Sequence, residues 1–254
     1  MHLQLDGLTA VVTGGTKGIG RAIVELLLAE GCNISYCART VPKDAIPPRT
    51  TQSSKARAVG TALDIADKAA LEAWVKDIAD TFGGIDIVVS NVSALGISST
   101  PENWKASFDI DMMAFVNLVE STLPYLRKSK AAAIVSVSSV SGREIDFTAS
   151  GPYGAFKAAV THYTQQLAYT LAPEGIRSNS VSPGNTFFEG SVWDYAKRDN
   201  PELYNKALAL NPTGRMATPE EIANAVVFLA SPASSFTSGT NLVVDGALTR
   251  GVQL

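Results

Sequence analysis

Apolar residues along this chain fall into two alternating textures. Short continuous runs occupy 8–12, 33–37, 56–59, 85–89, 132–137, 177–182 and 241–244. Between them, at 18–30, 67–82, 152–171, 219–230 and from Pro101 to about Arg127, apolar positions recur every three or four residues. The short runs predict buried strands and the longer spacing predicts helices. In the first helix Ile19, Ile23, Leu26 and Leu27 share a face, and Gly31 ends it. Strand and helix alternating in this way predict an α/β protein whose parallel sheet, of about seven strands, is doubly wound, with helices on both faces. A polar segment with Pro42, Pro47 and Pro48 reads as a loop over 41–54. The stretch 185–212 breaks the alternation and is rich in aromatics, so it reads as a lobe inserted into a single domain spanning 1–254.

Composition narrows the possible roles. The chain has 254 residues, 46% of them hydrophobic, and a net charge of -3, which suits a large core and offers no basic block for nucleic acid. The start, Met1 to Asp6, lacks a basic segment followed by an apolar one, and no apolar run reaches ~18 residues. The expectation is a cytoplasmic protein with no membrane contact. Cys32 and Cys37, an odd number apart in one predicted strand, point to opposite faces and read as buried, unpaired thiols.

Candidate chemistry sits at both ends of the pattern. Gly14, Gly15, Thr16, Lys17, Gly18, Ile19 and Gly20 join the first strand to the first helix. There, glycines let the backbone approach a pyrophosphate and the helix N-terminus offers free N–H groups. A tight turn without a ligand is the alternative. The second strand runs into Ala38-Arg39-Thr40, with no carboxylate for a ribose 2′-hydroxyl. Arg39, with Lys17, would instead suit the 2′-phosphate of NADP(H); otherwise both are solvated surface cations. Farther on, Tyr153 and Lys157 lie four apart on one helix face. A cation beside a phenol favours its phenolate and fits it to exchange a proton with an alcohol or ketone oxygen.

Together these residues resemble the short-chain dehydrogenase/reductase family, over about Leu5 to Gly251. The matching motifs include 13–20, Leu63-Asp64-Ile65, Asn91, Ser138 to Gly142, Tyr153 to Lys157, Arg177-Ser178-Asn179, Pro183-Gly184 and Val244-Asp245-Gly246. The resemblance implies a Rossmann-type fold and a set of roles. Tyr153 would be the acid/base, Lys157 its partner and a ribose ligand, and Ser139 the substrate-oxygen ligand. Asp64 and Ile65 would lie by the adenine, Asn91 on the adenosine side, and Pro183, Gly184 and Thr186 near the nicotinamide carboxamide. A homotetramer, with the helices after Pro101 and Pro152 between subunits, is also implied.

Three positions depart from that pattern. Asp111 stands where the family has an asparagine that kinks the helix and holds a relay water; it predicts a retuned relay and a more firmly charged Lys157. Val92 and Ser93 replace smaller residues beside the cofactor cleft, and Phe156 replaces a serine before Lys157. For the substrate, Phe187, Phe188 and Trp193 would form an apolar lid and Ile145 and Phe147 the opposite wall, implying a hydrophobic ketone or alcohol. Ordinary packing or a subunit interface is the other reading of the lobe's aromatics. His162, half a turn from Tyr153, points away from the site. Arg127, Lys128 and Lys130 would suit an acidic carrier protein, or else are a solvated helix end. The expected activity is NADPH-dependent carbonyl reduction, reversible as alcohol oxidation. The alternatives are reduction of a 3-oxoacyl group on acyl carrier protein and a non-catalytic dinucleotide-binding regulator.

Overall fold

The computed structural model describes residues 2–42 and 56–251. Most of the loop expected at 41–54 therefore lies outside the described residues. Seven strands form one parallel sheet: β1 (Thr9–Thr13), β2 (Asn33–Ala38), β3 (Ala58–Ala62), β4 (Ile87–Ser90), β5 (Ala133–Val137), β6 (Arg177–Pro183) and β7 (Asn241–Val244), in the order β3-β2-β1-β4-β5-β6-β7. The third strand starts two residues later than its apolar run suggests, because Arg57 meets β2 only through its carbonyl, which accepts from Ile34 N at 2.8 Å.

Helices cover both faces, and the strands' period of two assigns each side chain to one of them. Val12 joins the layer of α1 (Gly18–Ala29) and α8 (Pro219–Ala230), with Ile23, Leu27, Val226 and Val227. Its neighbour Val11 joins the opposite layer of α2 (Lys68–Phe82), α4 (Ala114–Leu126) and α5 (Tyr153–Leu171), with Leu71, Ile78, Phe115, Leu118 and Leu167. Cys32 and Cys37 divide the same way, although Cys32 precedes β2 rather than lying in it. Both thiols are free, and burial pushes each up to about 12.

Polar residues set the ends of these elements. Asp67 caps α2 by accepting from Ala70 N at 3.0 Å, and Gly83 ends it in the left-handed region at φ 87°. Thr218 and Glu221 form a reciprocal capping box on α8. At the far end of α8 the Arg177 guanidinium donates to the carbonyls of Leu229 at 2.6 Å and of Ala230 and Ser231 at 3.1 Å each. One planar fork thereby satisfies carbonyls the helix leaves open.

The segment 185–212 leaves the sheet through a bridge between Thr186 and Ala217 and carries two short helices, α6 (Val192–Asp199) and α7 (Pro201–Ala209). No helix among the described residues is long and apolar enough to cross a membrane. The loops leaving the C-terminal ends of β1 through β6 meet in one cleft, the usual ligand edge of a doubly wound sheet.

Candidate active site

That cleft encloses about 690 Å³. Its floor is the turn from β1 into α1. At Gly20 an added Cβ would lie 2.1 Å from the Gly14 carbonyl oxygen, so only glycine lets helix and turn close. The first turn of α1 has no side-chain cap and no acidic residue, which leaves its N–H groups to an anion. Asn91 fastens this turn to β4: its amide donates to the carbonyls of Thr13 at 3.0 Å and Gly14 at 3.3 Å. Gly14, Thr16, Lys17, Ile19, Gly20, Arg39, Asp64, Ile65 and Asn91 all line this part of the cleft. Gly18 does not. It has φ +53°, and a Cβ there would fall 2.4 Å from the Phe188 ring, which covers it. Lys17 and Arg39 are exposed and pair with no carboxylate among the described residues.

The other half of the cleft is lined by Ser139, Tyr153 and Lys157. Two reciprocal bonds staple α5 to the end of β5. Lys157 Nζ donates to the Val137 carbonyl at 3.1 Å, and Ser138 Oγ donates to the Lys157 carbonyl at 2.9 Å. Lys157 is 3% exposed, with its Nζ 5.7 Å from the centroid of the Tyr153 ring. The long helix expected after Pro101 is not continuous. Between α3 (Pro101–Ala106) and α4 lies a π-helical stretch, Ser107–Met113, and it carries Asp111 into the core. Asp111 Oδ2 accepts from Ala94 N at 3.2 Å, while Oδ1 lies 3.5 Å from Lys157 Nζ with no hydrogen bond of its own. Asp111, the residue that the resemblance tied to a relay, is therefore one half of a buried ion pair with Lys157.

Several expected site residues lie elsewhere. Ile145 is fully exposed, and Phe147 turns outward beneath Lys206, whose Nζ is 4.7 Å from the ring centroid. Neither forms a wall, because in this irregular segment they share the outer side and Asp146 between them takes the inner one. Phe187 packs edge-on against Tyr204 at 6.2 Å and also lies outside the cleft. Phe188 and Trp193 do line it, joined by Val192 and Tyr195 from α6. Pro183, Gly184 and Thr186 line the same cleft, with Thr186 Oγ1 donating to the Gly184 carbonyl at 3.1 Å. Val92 and Ser93 are in its wall. Phe156 faces away and packs edge-on with Trp104 and Phe108, at 6.1 and 6.3 Å, so it does not displace support for Lys157. His162 is exposed, as its helical phase predicts.

The sequence reading missed a hydrogen-bonded chain behind Ser139. Ser141 Oγ donates to Asp146 Oδ2 at 2.7 Å. Its proton being taken, Ser141 Oγ accepts from Ser139 Oγ at 3.1 Å. Ser139 Oγ in turn accepts the Ser141 N–H at 3.1 Å. The acceptor at Asp146 thus sets the direction of the Ser141 hydroxyl and leaves its oxygen facing Ser139.

A family model described as Enoyl-(Acyl carrier protein) reductase matches residues 14–249. The chain belongs to the short-chain dehydrogenase/reductase family. It is 42% identical over 252 residues to isoepoxydon dehydrogenase of Penicillium expansum, covering 98% of this chain and 97% of that one. It is 34% identical to the 3-oxoacyl-[acyl-carrier-protein] reductase of Vibrio cholerae, over 97% of this chain and 99% of that protein. Among solved structures, an NADPH-bound short chain oxidoreductase of Pseudomonas aeruginosa, described as containing an atypical catalytic center, superposes with a TM-score of 0.84 at 30% identity, covering 98% of this chain and 99% of that chain. Membership of this family makes the chain an oxidoreductase with a Rossmann-like fold and a nicotinamide dinucleotide cofactor.

Proposed function

We propose that this short-chain dehydrogenase/reductase interconverts a ketone and a secondary alcohol, using NADP(H). The observation that carries the reading is the convergence of Ser139, Tyr153 and Lys157 on one cleft with the open N-terminus of α1. The first turn of α1 and the Gly14–Gly20 turn would hold the pyrophosphate. Lys157, with N–H groups to spare beyond Val137, would hold the nicotinamide ribose. When bound, the nicotinamide supplies or accepts the hydride. Tyr153 exchanges the proton with the substrate oxygen, and the Ser139 hydroxyl, turning its hydrogen from Ser141 Oγ to the cleft, donates to that oxygen and holds it in place. Seating both reactants in one cleft supplies the proximity term.

The preference for NADP(H) over NAD(H) rests on Lys17 and Arg39, two cations at the adenosine end that pair with no carboxylate among the described residues, and on the lack of a carboxylate in Ala38-Arg39-Thr40. Tyr153→Phe should abolish NADPH-linked ketone reduction, and turnover near wild type would sink the mechanism. Arg39→Asp should move the preference toward NADH; an unchanged NADPH/NADH ratio would remove the cofactor assignment.

A 3-oxoacyl group on a carrier protein is a weaker reading. Arg127 is engaged by Glu174 at 2.5 and 3.3 Å, and with Lys128 and Lys130 it precedes β5, whereas the cleft opens beyond the other end of that strand. We extend the proposal to a homotetramer, which would cover the exposed Trp104, Phe108 and Tyr169 on the helices after Pro101 and Pro152. Light scattering on the purified protein tests it: a monomer refutes it.

A further inference from the structure

Beyond Ser139 and Tyr153 the cleft opens into a side pocket of about 110 Å³. Its inner wall carries Asp146, Ser141, Thr148 and Asn185, where the sequence suggested Ile145 and Phe147. The Asp146 carboxylate is held without any cation. Oδ1 accepts from Thr148 N at 2.8 Å and Thr148 Oγ1 at 2.6 Å, and Oδ2 accepts from Ser141 Oγ at 2.7 Å. Among the described residues no Lys, Arg or His pairs with it. A carboxylate offers about four acceptor positions, so three neutral donors leave one unfilled. The groups that fix this carboxylate are all hydrogen-bond donors, and it sits in a small pocket that shares Ser139 and Tyr153 with the main cleft.

Resting on the proposed ketone–alcohol chemistry, we propose that Asp146 is a substrate-binding residue that accepts a hydrogen bond from a second hydroxyl of the substrate. The substrate class is then a small polyoxygenated molecule, a hydroxyketone and the diol it yields, rather than a hydrophobic ketone. One oxygen lies at Ser139 and Tyr153. The second reaches the side pocket and takes the open acceptor position. A hydrogen bond to a charged acceptor discriminates strongly, because a substrate lacking the hydroxyl leaves the carboxylate desolvated and short of a donor.

The test compares cyclohexanone with 3- and 4-hydroxycyclohexanone as NADPH-linked substrates of the wild type and of Asp146→Ala. In the wild type, kcat/KM for at least one hydroxyketone should exceed that for cyclohexanone on the order of ten-fold or more. In Asp146→Ala that ratio should fall to within about three-fold. Any general loss through Ser141 and Ser139 affects both ketones and cancels in the ratio. A wild-type ratio near one, or a preference that survives Asp146→Ala, overturns the assignment. Affinities of the matching cyclohexanediols and cyclohexanol, measured by ligand-observed NMR, give the same comparison without turnover. A diol preference lost in Asp146→Ala with no ketone reduced would sink the proposed activity and leave the subsite standing. Turnover with no hydroxyl preference in either measurement would do the reverse.

Discussion

Asp111 and Lys157 form an ion pair inside the protein, at 3.5 Å, with both side chains almost wholly out of solvent. At an effective dielectric near 20 their mutual attraction is about 5 kcal/mol. Removing one partner leaves the other buried and uncompensated, which in comparable sites costs about 3–5 kcal/mol. Asp111→Ala strands a cation held only by the Val137 carbonyl, and Lys157→Met strands a carboxylate held only by Ala94 N. The double variant strands neither. We predict that each single variant loses about 3–5 kcal/mol of unfolding free energy, and that the double variant loses less than their sum by about 2–5 kcal/mol. Urea denaturation of all four proteins at one fixed protein concentration closes the cycle, the fixed concentration holding any assembly contribution constant. Losses that add to within about 0.5 kcal/mol would refute the pair as an energetic unit. A double variant less stable than the wild type by the full sum of the two single losses would show that the two groups act only through packing.

Other outcomes follow from single contacts. Gly20→Ala should abolish NADPH binding, measured by fluorescence titration, because its Cβ would meet the Gly14 carbonyl, a backbone atom that cannot yield without moving the turn. Glu221 is held at about 2, against 4.5 for a free glutamate, first by the Arg215 side chain and then by the Thr218 N–H. A lowered value stabilises the folded state above the free value, so this contribution should fade as pH drops from about 4.5 through about 2, and Glu221→Gln should flatten that part of a melting-temperature profile. Cys32 and Cys37, pushed up to about 12 by burial, should resist iodoacetamide at pH 8 in the folded protein and react after denaturation, as read by mass spectrometry.

The parts of the site that repeat a backbone device were legible in the sequence. A glycine-rich turn between an apolar run and a helical pattern predicts its own geometry, and Tyr153 and Lys157 follow from helical spacing alone. What escaped depended on contacts between distant segments. Asp146 was passed over because the apolar Ile145 and Phe147 looked like wall-formers. In a segment without regular structure, hydrophobicity does not decide which side faces in, and Thr148 and Ser141 hold the carboxylate instead. The π-helical stretch at Ser107–Met113 showed only through the resemblance, which put a helix kink at the position of Asp111, since the wider turn leaves the apolar spacing of a long helix nearly intact. Phe156 stood out only as a replacement for a serine, and where its ring goes depends on Trp104 and Phe108, which the sequence does not place beside it.

The staple between α5 and β5 has a consequence for how this cleft acquires new substrates. Ser139 follows the strand whose Val137 carbonyl holds the Lys157 ammonium, and Ser138 holds the Lys157 backbone in return. Reacting groups and sheet are therefore one jaw of a vice, fixed in position. The facing jaw is α6, a short helix with no fully buried residue, which offers Val192, Trp193 and Tyr195 to the cleft. Substitutions along that helix can reshape the grip on a substrate at little cost to the core, while the proton-transfer apparatus stays where the sheet put it.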